Sequence, residues 1–291
     1  MMKIGIIGAN SFLAKNFIEY SHNIHEYEFQ LYYHVMPEEH SEYQCEVVNY
    51  NDVNDICKKV DFGADRIMVF IGKTGTVNGF SEYEDFLKVN ELYFMNILTA
   101  YVKCKSKARI IYPSSRLIYK SSSDLINENS NVDLRSIYAV TKYASEKYLE
   151  IFNRCYGVDY VTLHICTPIG TLLSSNGTYG TFKIFEDQAR EKGVIELFGD
   201  GLQKKTFTDI NDICVAFDKL IRAEKTNYNT YNLGGQIFTL REICEKIATK
   251  HKVKIKTMDW PKLFKEVDGG SVAFDSERFD SEFHMKYSKL I

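Results

Sequence analysis

The chain has 291 residues, 45% hydrophobic and 26% charged, with a formal net charge of -3 from 36 basic and 39 acidic side chains. That length suits one large domain or two modest ones, and the composition excludes a disordered or fibrous chain. The charge balance leaves no footprint for gripping nucleic acid, and no apolar run approaches the roughly 20 residues of a membrane helix.

The opening MMKIGIIGAN is apolar only briefly and carries no signal-peptide core or cleavage site, so no leader is expected. Residues 3–7 form a short apolar run. Gly8 and a small-residue turn follow, and then Phe12, Leu13, Phe17 and Ile18 recur at helical spacing. That order reads as strand, tight turn, helix. Residues 28–34 read as a second strand and 45–48 as a third. Asp52 can cap a helix carrying Val53, Ile56, Cys57 and Val60. Residues 66–71 are apolar throughout after Arg66, as in a strand buried on both faces. A long helix fits 82–103, a buried strand 108–112, a helix 137–156 and a strand 160–166. Alternating strands and helices predict a doubly wound parallel sheet over residues 1–167.

After residue 167 the texture changes. A Gly/Ser/Thr-rich loop at 170–180 precedes helix 181–192, strand 194–198, helix 211–224, strand 228–233, helix 239–250 and strand 252–258. Thr239 and Glu242 have the spacing of a capping box. Residues 168–291 are therefore expected to form a smaller α/β lobe, with the chain free to cross between lobes.

The seven cysteines are scattered without a CxxC pair, which reads as reduced thiols in a cytoplasmic protein. The seven histidines (22, 25, 34, 40, 164, 251, 284) include no pair at metal-ligand spacing, and His22 and His25 read as solvated. No metal is expected.

Two constellations carry chemistry. The turn GIIGANSFLA places Gly8, Ser11 and Ala14 between a strand and a helix N-terminus, where backbone N–H groups can meet a pyrophosphate. At the end of strand two, where an acidic residue usually takes the ribose hydroxyls, stand Tyr33 and His34. Neither Asp nor Arg is there, so NAD and NADP both stay open. His34 suits a 2′-phosphate or an ordinary surface.

The second constellation is Tyr138-Ala-Val-Thr-Lys142, one helical turn apart on one face. A tyrosine, with its ordinary pKa near ~10, is a poor acid–base group at neutral pH until a neighbouring ammonium favours its phenolate. Ser115 follows a buried strand, at the strand end where open α/β sheets bind ligands.

With turn, Ser and YxxxK in this order, the chain resembles the extended short-chain dehydrogenase/reductases that act on nucleotide sugars. PSSRLIY, YAVTK, VNELYFMNILTA, LHICTPIG, LFGDGLQKKTFTDINDICVA and YNLGG all have counterparts there, so the resemblance covers nearly the whole chain. It implies a Rossmann-like domain, an NAD or NADP cofactor, a nucleotide-sugar substrate and a homodimer built on helices 82–103 and 137–156. It implies Tyr138 as general acid/base, Lys142 as its tuning partner and Ser115 on the reacting oxygen. Gly8, Asn10, Ser11, Phe12 and Ala14 would line the pyrophosphate, Asn49 and Tyr50 the adenine, and Asn90 and Pro168 the nicotinamide side. Thr167, Arg116 and Lys205 would meet substrate. Lys73 would touch substrate or face solvent.

Departures narrow the chemistry. Thr167 replaces the Asn usual in sugar-nucleotide epimerases, and His164 replaces an Arg. Arg116 and Leu117 follow Ser115, where dehydratases place carboxylates, which disfavours 4,6-dehydration. A 4-keto-sugar reductase is the leading expectation. A 4-epimerase that retains NAD and a non-catalytic dinucleotide-sensing module are the alternatives.

Overall fold

The computed structural model describes all residues except 23, 25, 38–42, 174–179, 269 and 291. His25, His40 and the centre of the 170–180 loop lie outside the described residues.

In chain order the elements are β1 (Met2–Ile7), α1 (Phe12–Ser21), β2 (Tyr27–Tyr33), β3 (Gln44–Val47), α2 (Val53–Lys59), β4 (Arg66–Val69), α3 (Tyr83–Phe86), α4 (Tyr93–Lys103), β5 (Arg109–Ser115) and α5 (Ile137–Tyr156). Then follow β6 (Tyr160–Ile165), β7 (Thr167–Ile169), α6 (Gly180–Asp187), β8 (Val194–Phe198), β9 (Lys204–Asp209), α7 (Ile210–Arg222) and β10 (Thr230–Asn232). The last are β11 (Gln236–Thr239), α8 (Leu240–His251), β12 (Lys254–Met258), α9 (Lys262–Asp268) and α10 (Glu277–Phe283).

Two compact units result. The first comprises Met1–Ser114, Ser136–Leu163 and Phe217–Thr230; the second comprises Ser115–Arg135, His164–Ala216 and Tyr231–Ile291. The chain passes between them repeatedly, the crossing that the sequence reading left open beside its division at residue 167.

The main sheet has seven strands in the order β10-β6-β5-β4-β1-β2-β3, flanked by helices in a Rossmann-like α/β arrangement. β1 pairs in parallel with both β2 and β4, and β4 with β5. All seven residues of β5 are buried; the apolar Ile110, Ile111 and Tyr112 follow Arg109, whose guanidinium pairs with Asp159 at 2.8 Å. On one face Ile56, Ile97, Leu98 and Leu149 from α2, α4 and α5 form a cluster with Val69, Ile110 and Tyr112 of the sheet. Elsewhere in this unit, Phe17 of α1 meets Phe29 and Phe217 edge-on. Local signals agree with this packing. Asp52 caps α2 through the Asn54 N–H at 2.8 Å, and Gly157 ends α5 in the left-handed conformation at φ 70°.

The helix expected over 82–103 is interrupted by a wide π-type turn at Leu87–Leu92, centred on buried Asn90. Such turns often mark functional positions.

The second unit holds a three-stranded sheet, β11-β9-β7, and a two-stranded one, β12-β8. Ile195, Leu197, Phe207, Ile243 and Ile247 form its core. Its capping box at Thr239 and Glu242 is present, both bonds made. β7, β9 and β11, with α9 and α10, were not foreseen. β9 reads KKTFTD, and its buried positions include Lys205, Thr206 and Thr208, so hydrophobic alternation is hidden. Among the described residues no helix is long and apolar enough to cross a membrane.

Candidate active site

The turn after β1 is shaped by close backbone approach. Gly8 has φ +81°, and a Cβ there would lie 2.6 Å from the Ile71 amide nitrogen. Its own N–H donates to the Tyr32 carbonyl at 3.0 Å. Ser11 caps α1, its hydroxyl accepting the Ala14 N–H at 3.2 Å. Asn10, Phe12 and Ala14 therefore lie at a ten-residue helix N-terminus whose first turn carries no acidic side chain. This cradle fits a dinucleotide pyrophosphate. Replacing Gly8 by Ala forces a side chain into a left-handed, backbone-crowded position. We expect a stability loss of about 1–3 kcal/mol in thermal melts and at least roughly tenfold weaker dinucleotide binding by titration.

At the end of β2 the two expected cofactor residues diverge. Tyr33 is buried, its phenol pushed up to about 12 by burial and by its bond with Cys45. His34 is exposed, with its ring 5.6 Å from Tyr93 and 6.2 Å from Tyr50, which are 5.8 Å from each other. The three rings are mutually tilted, and only His34 is exposed, Tyr50 and Tyr93 being buried. Asn49 is exposed and accepts the Asn51 N–H at 3.1 Å, and Asn10 donates to the Val35 carbonyl at 3.0 Å. Tyr93 was not foreseen, because nothing in the spacing of its helix marks it.

Buried Asn90 works as a clamp. Its amide oxygen accepts the Lys73 N–H at 2.6 Å, while its amide nitrogen donates to the Lys73 carbonyl at 3.0 Å and to Thr141 at 2.9 Å. The loop after β4 is thereby tied to α5. The Lys73 ammonium itself sits on Glu82 at 2.5 Å and Asp85 at 2.7 Å.

α5 starts at Ser136, whose hydroxyl accepts the Ala139 N–H at 3.1 Å. Tyr138 is half-buried, and the Phe86 ring meets it edge-on at 6.4 Å. Lys142 is buried, donates to the Pro113 carbonyl at 2.6 Å and lies 4.0 Å over the Tyr112 ring. Burial pushes its ammonium down to about 7, and Glu146 opposes that push. Tyr112 is held well above its ordinary range by burial, so it stays a neutral phenol. Glu146, one turn beyond Lys142, is also buried and accepts the Ser114 hydroxyl.

In the second unit, Ser115 ends β5 and its hydroxyl accepts the Leu117 N–H at 3.3 Å. Thr167 and Pro168 lie in β7, paired with Phe207 and Thr208 of β9. Arg116 and Lys205, both expected to meet substrate, share one carboxylate. Arg116 grips Asp268 with two bonds of 2.8 Å, and the Lys205 ammonium lies 2.8 Å from Asp268 and 2.8 Å from the Gly270 carbonyl. Nothing in the sequence pattern pointed to Asp268.

Burial alone would raise the Asp268 carboxyl, but Arg116 and Lys205 hold it well below the usual carboxylate range. The stabilisation is present above the ordinary carboxylate pKa near ~4 and is lost as pH falls through the depressed value. Asp268→Asn removes the carboxylate that both buried cations share, at a cost of about 3–5 kcal/mol. The variant should melt well below wild type at neutral pH, with the gap closing in strong acid.

A family model described as the NAD dependent epimerase/dehydratase family matches residues 4–234. A GDP-mannose 3,5-epimerase of Arabidopsis thaliana is 25% identical over 281 residues, covering 87% of this chain and 70% of that protein. Matches to relatives from Methanocaldococcus jannaschii and Bacillus subtilis span only 54% and 39% of those proteins. Among solved structures, Pal from Bacillus thuringiensis superposes with a TM-score of 0.87 at 15% identity, covering 100% of this chain and 95% of that one. The UDP-glucuronic acid 4-epimerase of Bacillus cereus, solved with UDP-glucuronic acid and NAD, gives 0.83 at 17% identity, covering 99% and 95%. At these identities the structures speak for the fold.

Proposed function

The chain belongs to the NAD dependent epimerase/dehydratase family, and from that premise we propose that it moves hydride at a carbon of a nucleotide-linked sugar, in the sense of a 4-keto-sugar reductase. The observation that carries this reading is α5, which aligns half-buried Tyr138 with a buried Lys142 one turn on.

Gly8, Asn10, Ser11, Phe12 and Ala14 would hold the dinucleotide pyrophosphate, with His34, Asn49 and Tyr50 at the adenosine end and Asn90 and Pro168 on the nicotinamide side. A bound nicotinamide dinucleotide supplies or accepts the hydride. Tyr138 holds the proton that the sugar oxygen gains on reduction. Lys142 stabilises the phenolate left behind and takes the nicotinamide ribose. Ser115 hydrogen-bonds the reacting oxygen and orients it. Lys205 and Arg116 carry the positive charge that suits a nucleotide diphosphate.

Thr167, standing where the family's epimerases carry Asn, supports reduction. The kinship with epimerases, such as the Arabidopsis GDP-mannose 3,5-epimerase, favours epimerisation instead. Denaturing freshly purified protein and quantifying released dinucleotide separates the two. A reductase exchanges its cofactor and releases little. A near-stoichiometric yield of NAD(H) would overturn the reductase sense in favour of an epimerase that recycles hydride internally.

A homodimer is part of the proposal. Leu87 and Leu92, the first and last residues of the π-type turn, and Val140 and Ile151 on α5 are exposed apolar residues, as a helical interface between copies requires. Sedimentation should show a dimer, and a purely monomeric profile would remove this element.

A further inference from the structure

We propose that Glu146, held by the Ser114 hydroxyl one turn of α5 beyond Lys142, is a positioning residue that keeps the Lys142 ammonium charged for Tyr138. This rests on the reading that Tyr138 and Lys142 carry the proton chemistry.

Tyr138, Lys142 and Glu146 follow one another at four-residue spacing, so they stack along one face of α5. Lys142 and Glu146 are both buried. The ammonium has the Pro113 carbonyl and the Tyr112 ring face as immediate partners, both from β5. A carbonyl dipole and a ring quadrupole favour a cation but carry no net charge. Glu146, buried one turn on, is the charge that opposes the effect of burial on Lys142. Tyr112 from β5 and Tyr160 from β6 also feel the Glu146 charge, and both are phenols raised by burial. Neither supplies a second anion. Ser114, also from β5, donates its hydroxyl to the carboxylate.

The consequence is a choice between two arrangements of the same proton. One is ammonium with phenolate, the other is neutral amine with phenol. Burial of Lys142 favours the neutral pair, since charge is costly in a dry site. An anion on the far side of the lysine favours the charged pair, which is the reactive one. The step itself is a proton moving between the Tyr138 oxygen and the sugar oxygen while hydride moves at the carbon.

The test uses Glu146→Gln, which keeps shape and removes charge, Glu146→Asp, and Ser114→Ala. The tyrosinate absorbance of Tyr138 is isolated from the other tyrosines among 20 by subtracting the same protein carrying Tyr138→Phe. In Glu146→Gln the Tyr138 signal should titrate at least one pH unit higher than in wild type. The pH–rate curve should move with it, kcat falling at least tenfold at pH 7 with KM unchanged. Glu146→Asp should restore part of the loss, and Ser114→Ala should move the titration in the same direction by less. A folded Glu146→Gln protein with an unmoved Tyr138 titration would overturn the proposal. If that variant does not fold, an unmoved titration in Ser114→Ala does the same. Full activity in Tyr138→Phe alone would instead overturn the underlying reading of Tyr138.

Discussion

Replacing Tyr138 by Phe should lower turnover by roughly 10²–10⁴-fold while leaving dinucleotide affinity unchanged. The substitution deletes one hydroxyl and keeps the ring that Phe86 meets edge-on. The cradle around Gly8 and Ser11 lies on another element, so cofactor binding has no reason to change. Stopped-flow turnover and a fluorescence titration of the dinucleotide measure the two quantities separately. A module that senses dinucleotide without catalysis would show no change in either.

Lys142→Met should be as damaging to the rate, and it should also change how stability depends on pH. The wild-type ammonium is pushed from 10.5 to about 7 by burial, with Glu146 opposing. Between those values the unfolded chain carries a proton on this lysine that the folded chain lacks. Stability from this group therefore rises with pH from about 7 to about 10.5, with a slope of up to about 1.4 kcal/mol per pH unit. Below about 7 both states are protonated and the slope vanishes. Methionine keeps the length of the side chain and has no proton to lose. Denaturant melts at several pH values should show the slope in wild type and its absence in the variant. Equal slopes would mean that Lys142 does not sit in a dry environment.

The legible parts of this fold are those where one physical effect dominates. The runs RIMV and RIIY announce strands buried on both faces, and Ser136 and Gly157 bracket α5 with a cap at each end. β9 escaped because its buried positions include lysine and threonine satisfied by partners distant in sequence. Lys205 is matched by Asp268, and Thr206 accepts the Phe274 N–H at 2.8 Å. Such pairings leave no periodic trace.

The site shows the same division. The Gly8 turn and the Tyr138–Lys142 spacing are local and readable. At the end of β2 the strand boundary decides: Tyr33 is the last strand residue and is buried beside Cys45, while His34 lies past the strand and is exposed. Glu146 continues the four-residue spacing of Tyr138 and Lys142. A glutamate on a helix is usually solvated, however, and its burial against Ser114 depends on how α5 packs on β5. Asp268 comes from a helix with no sequence signature, and only the folded second unit brings it to Arg116 and Lys205.

The proposed reaction is hydride transfer between a nicotinamide dinucleotide and a nucleotide-linked sugar, in whichever direction the natural substrate requires. The most direct measurement mixes the protein, loaded with NADH or NADPH, with nucleoside-diphosphate 4-keto-6-deoxy sugars in a single turnover and follows absorbance at 340 nm. A sugar-dependent loss of the reduced-dinucleotide signal is expected, absent in Tyr138→Phe. An unchanged signal with both dinucleotides across a panel of nucleoside diphosphates would contradict it.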